Sequence, residues 1–141
     1  MNTVLLMLAN THITIYNKAI ESRAEVYYRA VIRNVGWQAT KAIAGIHSGQ
    51  LASNVATIFI PFAGNTEYLA PKAWQALVDK SSNWTLQEGD VVVRGEVADE
   101  IAGAFTITSL RAKYDDVVSI TSVDAMDFGS SSVQHWELGC K

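Results

Sequence analysis

The chain has 141 residues, 49% of them apolar and 18% charged, with a formal net charge of −3. That length fits one domain around one core, and the composition excludes a disordered chain. The eleven Lys and Arg are scattered, densest at Arg111 and Lys113, without the basic patch of a free-standing nucleic-acid binder.

Thr3 to Ala9 is apolar but too short to span a bilayer. It lacks the charged start and full-length apolar core of a secretory signal, so no membrane or targeting segment is expected. Val4 to Leu8 within it could be helix or strand, because so short an apolar run does not decide. His12 to Tyr16 alternates, with Ile13 and Ile15 on one side and His12, Thr14 and Tyr16 on the other. It reads as a half-buried strand ended by Asn17-Lys18, with Ala19 to Ala24 as a connector. Glu25 to Trp37 reads as a long strand. Val26, Tyr28, Ala30 and Ile32 share one face, and Tyr27, Arg29, Val31, Arg33 and Val35 the other. The second face mixes aliphatic stems with guanidinium groups, which suits a partly covered sheet or a subunit contact.

Gln38 to Asn54 is a long loop with Gly45, Gly49 and three isolated apolar residues, Ile43, Ile46 and Leu51. A loop of that length in a small domain is usually functional or mobile. It is expected to order against neighbouring subunits; the competing reading has the three side chains close the domain's own core. Val55 to Phe62 is a strand that Pro61 ends or places at an edge. Ala63 to Leu69 is a loop. Pro71 to Val78 reads as a short helix with Pro71 at its first position and Trp74, Leu77 and Val78 on one face.

Trp84 to Val97 holds a turn at Gly89, the run Val91-Val92-Val93 and Gly95. Three β-branched residues in a row predict a central strand covered on both faces, with a bulge or barrel bend at Gly95. Ala98 to Gly103 is a turn, Ala104 to Thr108 alternates, and Ser109 to Tyr114 allows one helical turn. Val117 to Val123 is a strand, with Val117, Ser119, Thr121 and Val123 alternating against Val118, Ile120 and Ser122. Asp127 to Ser132 is a turn cluster, and Val133 to Leu138 is a last strand carrying Trp136. About six or seven strands and one helix predict a mainly β chain: a small barrel or sandwich with long loops, one domain over 1–141.

Chemistry-bearing residues do not converge. His12, His47 and His135 have no ligand-spaced partner. Asp115, Asp116, Asp124 and Asp127 cluster but miss the calcium-loop spacing, and read as turn formers. Glu88-Gly89-Asp90 is a turn rather than a dyad. Phosphate loops and a nucleophile elbow are absent, and Ser130 to Ser132 have no neighbouring base. The single cysteine, Cys140, excludes an internal disulfide and fits a reducing compartment or assembly inside a cell. Little near it would lower a thiol pKa. No catalytic residue, metal or cofactor is expected. Trp37, Trp74, Trp84 and Trp136 all stand near element ends, where tryptophan serves either a core or a partner surface.

Several blocks together carry a resemblance: Ile13 to Lys18, Val31 to Trp37, Pro71 to Leu77, Trp84 to Gly95, Tyr114 to Val117, Ser122 to Asp124, Asp127 to Ser130, and His135-Trp136. The set, which covers nearly the whole chain, resembles a family of small structural proteins, of minor-capsid and head-completion type, from tailed phages and prophages of Gram-positive bacteria. The resemblance implies a non-enzymatic virion protein, a connector- or stopper-like ring subunit joining portal and tail at the head–tail neck. The helix around Trp74 and the 38–54 loop do not map onto that barrel type. Its partners would be copies of itself, neighbouring portal, connector or tail-terminator proteins, and transiting DNA in passive contact. It would be assembled in the bacterial host cytoplasm without a membrane. Ile43, Ile46, Leu51, Arg29, Arg33, Trp74 and Trp136 are the expected assembly residues. The alternatives are a capsid-surface or tail-associated minor protein and, in another class, a ligand-binding or hydrolytic β-domain.

Overall fold

The computed structural model describes residues 10–39 and 55–141. Within them lie six strands: β1 (Thr11–Glu21), β2 (Ala24–Ala39), β3 (Ala56–Pro61), β4 (Val91–Arg94), β5 (Val117–Met126) and β6 (His135–Cys140). The connections carry two short helices, α1 (Pro71–Gln75) and α2 (Ile107–Lys113). Every strand pair is antiparallel, and the sheet closes as a barrel in the order β1-β2-β3-β6-β5-β4. The chain is therefore mainly β, and a barrel rather than a sandwich. Among the described residues α2 is a second helix where the sequence pattern allows a single helical turn at Ser109 to Tyr114.

β1 and β2 form a long hairpin. Asn17-Lys18 does not end β1, which runs on to Glu21 and turns through Ser22 and Arg23, both at positive φ (52° and 64°). Two such residues make the turn whose twist matches the strands it joins. Neither is the glycine or asparagine that usually announces it, so the segment reads as a connector.

Two irregularities invert the side-chain alternation. Asn34 (φ 60°) is the extra residue between the pairs His12↔Arg33 and Thr11↔Val35, and its N–H donates to His12 Nδ1 at 3.3 Å. A residue left out of register sends the next side chain to the opposite face. Val35 therefore joins Ile32 in the core instead of sharing a face with Arg33. A second shift, between Ile120 and Ser122, brings Val123 against the core that Val118 and Ile120 enter.

The inner core holds Ile13, Ile15, Ile32, Val35, Ile58, Ile60, Val92, Ile120 and Leu138. The connection between β3 and β4 folds into it: Trp84 N–H donates to Glu67 O and Leu69 N–H to Trp84 O, laying Tyr68, Trp84 and Leu86 inside. Tyr68 and Phe62 stack on Trp136 at 4.2 and 4.3 Å. α1 starts at Pro71 and stops at Gln75. Trp74 is buried, but Val78, expected on the same apolar face, is fully exposed because the helix ends before reaching it.

A second core lies outside the barrel wall: Tyr16, Val91, Val93, Val97 and Leu110, with Phe105 and Ile107 packed against them. Val92 points in while Val91 and Val93 point out, so the valine run is covered on both faces as expected. β1 is covered on both faces too, and is not half-buried. The cover is the 95–113 segment. Ala104 to Thr108 is not a strand. Phe105 and Ala102 exchange two 3.1 Å hydrogen bonds around Gly103, and Thr106 caps α2 through Ser109.

Candidate assembly surface

The expected interface residues divide into three groups. Arg29 and Arg33 stand on the outer face of β2, where both are fastened to the 95–100 segment. Arg29 Nε donates to Val97 O at 2.6 Å, with Nη1 4.0 Å from Glu100. Arg33 Nη2 lies 2.8 Å from both oxygens of Glu96. Trp74 and Trp136 are corrections: they are 0% and 7% exposed and belong to the chain's own core. Trp74 Nε1 donates to Asn83 O at 3.2 Å, Lys80 Nζ lies over its ring, and Tyr28 meets it edge-on. An indole needs a partner for its N–H when buried, and here the chain itself supplies it. Ile43, Ile46 and Leu51, with the 38–54 loop reading that rests on them, lie outside the described residues from position 40 to 54. Trp37 is half-buried, with Arg94 5.7 Å from its ring.

A polar cluster that the sequence reading missed sits where β1 outruns β4. Asn17, fully buried, donates through Nδ2 to Thr85 O and to Asp90 Oδ2 (both 2.8 Å), and accepts from Thr85 N–H. Asp90 Oδ1 accepts from Lys18 N–H at 3.1 Å, and Gln87 Nε2 donates to Asp90 Oδ2 at 2.9 Å. Gln75 and Gln87 both donate to Lys18 O. The backbone of Lys18, beyond the first residue of β4, Val91, is thus bonded by side chains. Burial pushes the Asp90 carboxyl above the ordinary carboxylate range, against the opposing pull of its donors Gln87, Asn17 and Lys18 N–H. Among the described residues, Thr85 Oγ1 is a buried polar atom with no hydrogen-bond partner. The signal available was an asparagine inside an apolar strand together with the Gln-Glu-Gly-Asp turn, which the structure shows as a turn at Gly89 (φ 92°).

A further set of hydrogen bonds ties the outer cover down. Tyr16 hydroxyl donates to Asp99 O at 2.7 Å, and burial pushes that phenol to about 12. Tyr114 hydroxyl and Lys113 Nζ both donate to the Asp99 carboxylate, and the Tyr114 bond, then Lys113, hold it below the usual range. Thr14 Oγ1 donates to Gly95 O and accepts from Val97 N–H.

The remaining described candidates stay apart. His12 accepts from Asn34 N–H, His135 contacts Val133 O and Glu137, and His47 lies outside the described residues. Asp115, Asp116, Asp124 and Asp127 are all exposed. Among the described residues no three His, Cys, Asp or Glu are grouped to hold a metal ion. Cys140 is buried, which pushes its thiol to about 12 and disfavours the thiolate. Among the described residues no helix is long and apolar enough to cross a membrane.

These features define a small closed antiparallel barrel whose interior is filled by its own side chains and whose charged groups brace surface segments. The chain belongs to a family of unknown function, DUF6751, whose model matches residues 8–141. No curated protein matches the chain, and no solved structure does.

Proposed function

We propose that the protein is a non-enzymatic virion structural protein, a ring subunit at the head–tail neck that joins portal and tail. The observation that supports this reading is the filled barrel. Ile13, Ile15, Val35, Ile58, Ile60 and Leu138 occupy the interior at 0% exposure, so the molecule acts through its outside. A rigid core carrying surface segments suits a subunit that must hold shape while touching several neighbours. The weak negative charge suits a ring that lets DNA pass, since a strongly basic lumen would grip the phosphate backbone. Its neighbours are copies of itself and the portal, connector or tail-terminator proteins, and it is assembled in the host cytoplasm.

Imaging virions that carry a labelled copy tests this. Label at the neck is the expected result. Label on the capsid or along the tail would replace the reading with a minor structural protein there, and a particle without label would overturn both.

A further inference from the structure

We infer that the outer edge of β2, from Glu25 to Arg33, is a strand-docking edge that pairs in antiparallel register with the same edge of a second copy. The inference starts from which way the backbone points. Gly95 N–H donates to His12 O, and Lys18 N–H donates to Asp90, so the even residues of β1 turn their peptide groups away from β2. The odd residues face β2 in the pairs Ile13↔Ile32, Ile15↔Ala30, Asn17↔Tyr28 and Ala19↔Val26. Alternation then turns the N–H and C=O groups of Glu25, Tyr27, Arg29, Val31 and Arg33 outward. β3 meets β2 only from Gly36 to Ala39. Among the described residues, no hydrogen bond reaches those five peptide groups on their outer side.

The other edge of the same hairpin is closed. Beyond β4, Lys18 is bonded on both its N–H and its C=O by Asp90, Gln87 and Gln75. The β2 edge instead borders an open groove of about 370 Å³, lined by Arg29, Val31, Arg33, Glu67, Ser82 and Asn83. An unpaired edge is a template for another strand unless charged side chains, proline, a bulge or a covering segment guards it. From 25 to 33 there is no lysine or proline, and the bulge at Asn34 lies beyond. Both arginines are turned toward the 95–100 segment.

The edge is complementary to itself. With Arg29 on a two-fold axis, Glu25 pairs with the second copy's residue 33 and Tyr27 with its residue 31, so all five outward donors and acceptors are met. That register sets a carboxylate against a guanidinium at both ends. Arg33 engages Glu96 through Nη2, which leaves its other donors for the carboxylate across the axis. The two Arg29 side chains meet on the axis, each already held by its own Val97 O and Glu100. This pairing goes beyond the neck reading and concerns the free chain.

The test is sedimentation velocity and amide hydrogen exchange on the purified full chain across a concentration series. We expect the mass to pass from one chain to two. Over the same range the amides of Tyr27, Arg29 and Val31 should slow by roughly tenfold or more, while those of Tyr28 and Ala30 stay protected throughout. Val31→Pro removes an outward N–H that the barrel does not use, so it should keep the wild-type circular dichroism and stay a monomer. Outward amides that exchange fast at every concentration would overturn the inference, as would slow exchange already present in the dilute monomer. A folded Val31→Pro that associates like the wild type would overturn it too. If that variant misfolds, the wild-type exchange series decides alone. A monomer found at the neck sinks this inference and leaves the neck reading standing; a dimer missing from the particle does the reverse.

Discussion

The two faces of the wall formed by β1 and β4 are both buried, yet they are held in different ways. Inside, Ile13, Ile15 and Val92 meet side chains from every other strand. Outside, Tyr16, Val91 and Val93 meet a segment that belongs to no sheet. The inner face needs no directional contact, because closure of the barrel already brings its partners together and apolar burial is non-directional. The outer face must hold a covering loop in place, and it does so with hydrogen bonds: Thr14 to Gly95 and Val97, Tyr16 to Asp99 O, and Arg29 to Val97 O. Polar side chains are thus spent where the cover is irregular backbone whose own polar groups need partners.

Substitutions can break this contrast in graded steps. Trp136→Ala should be the most damaging, because it empties the aromatic stack with Phe62 and Tyr68 in the inner core; we expect a loss of about 3–5 kcal/mol in urea unfolding. Leu110→Ala, in the outer core, should cost near the lower end of about 2–5 kcal/mol. It should loosen 95–113 in hydrogen exchange while the strand amides stay protected. A Leu110→Ala loss as large as that of Trp136→Ala, with all amides opening together, would show the two faces to be one cooperative core.

Asp90→Asn tests the seam between β1 and the 84–90 turn. Lys18 N–H, Asn17 Nδ2 and Gln87 Nε2 all donate to the carboxylate, and an amide must turn its own donor toward one of them. The unmatched buried donor should cost about 1–3 kcal/mol. A change too small to measure would mean that relief of the buried charge, whose carboxyl burial already raises, offsets the lost bond.

Tyr16→Phe should be mildest near neutral pH, at about 0.5–1.5 kcal/mol for one hydrogen bond. Its alkaline signature is sharper. The folded phenol is pushed up to about 12 from its ordinary 10, so between those values the unfolded chain releases the proton first. Stability contributed by Tyr16 is therefore full below pH 10 and lost as pH rises toward 12. Cys140, raised from 9 to about 12, adds loss of the same sign. Melting temperatures from pH 9 to 12 should fall less steeply in Tyr16→Phe than in the wild type, and equal slopes would refute the assignment.

The local pattern carried far along this chain. Alternation at His12 to Tyr16, the triple valine, the stop at Pro61 and the turn at Gly89 were all legible, because each rests on sterics within a few residues. The candidate surface was less so. The pattern puts Arg29 and Arg33 on one face of their strand, but nothing near them in sequence announces Val97, Glu96 or Glu100. Trp74 and Trp136 were offered as surface anchors, since a tryptophan at an element end looks the same whether a loop folds over it or not.

By itself, then, the sequence determined that this chain makes strands, where most of them lie, and that they build a β domain. The tertiary structure decided which way the side chains finally point. The bulge at Asn34 and the shift at Ile120 each invert a face, and such inversions are set by pairing with a distant strand rather than by the residues on either side. It also decided the outer core and the polar seam at Asp90, because each depends on contacts that exist only once the barrel has closed. The edge of β2 that no described strand pairs from Glu25 to Arg33 belongs to the same class. Which residues of a strand are paired depends on where its neighbours stop, and β3 pairs with β2 only from Gly36 to Ala39.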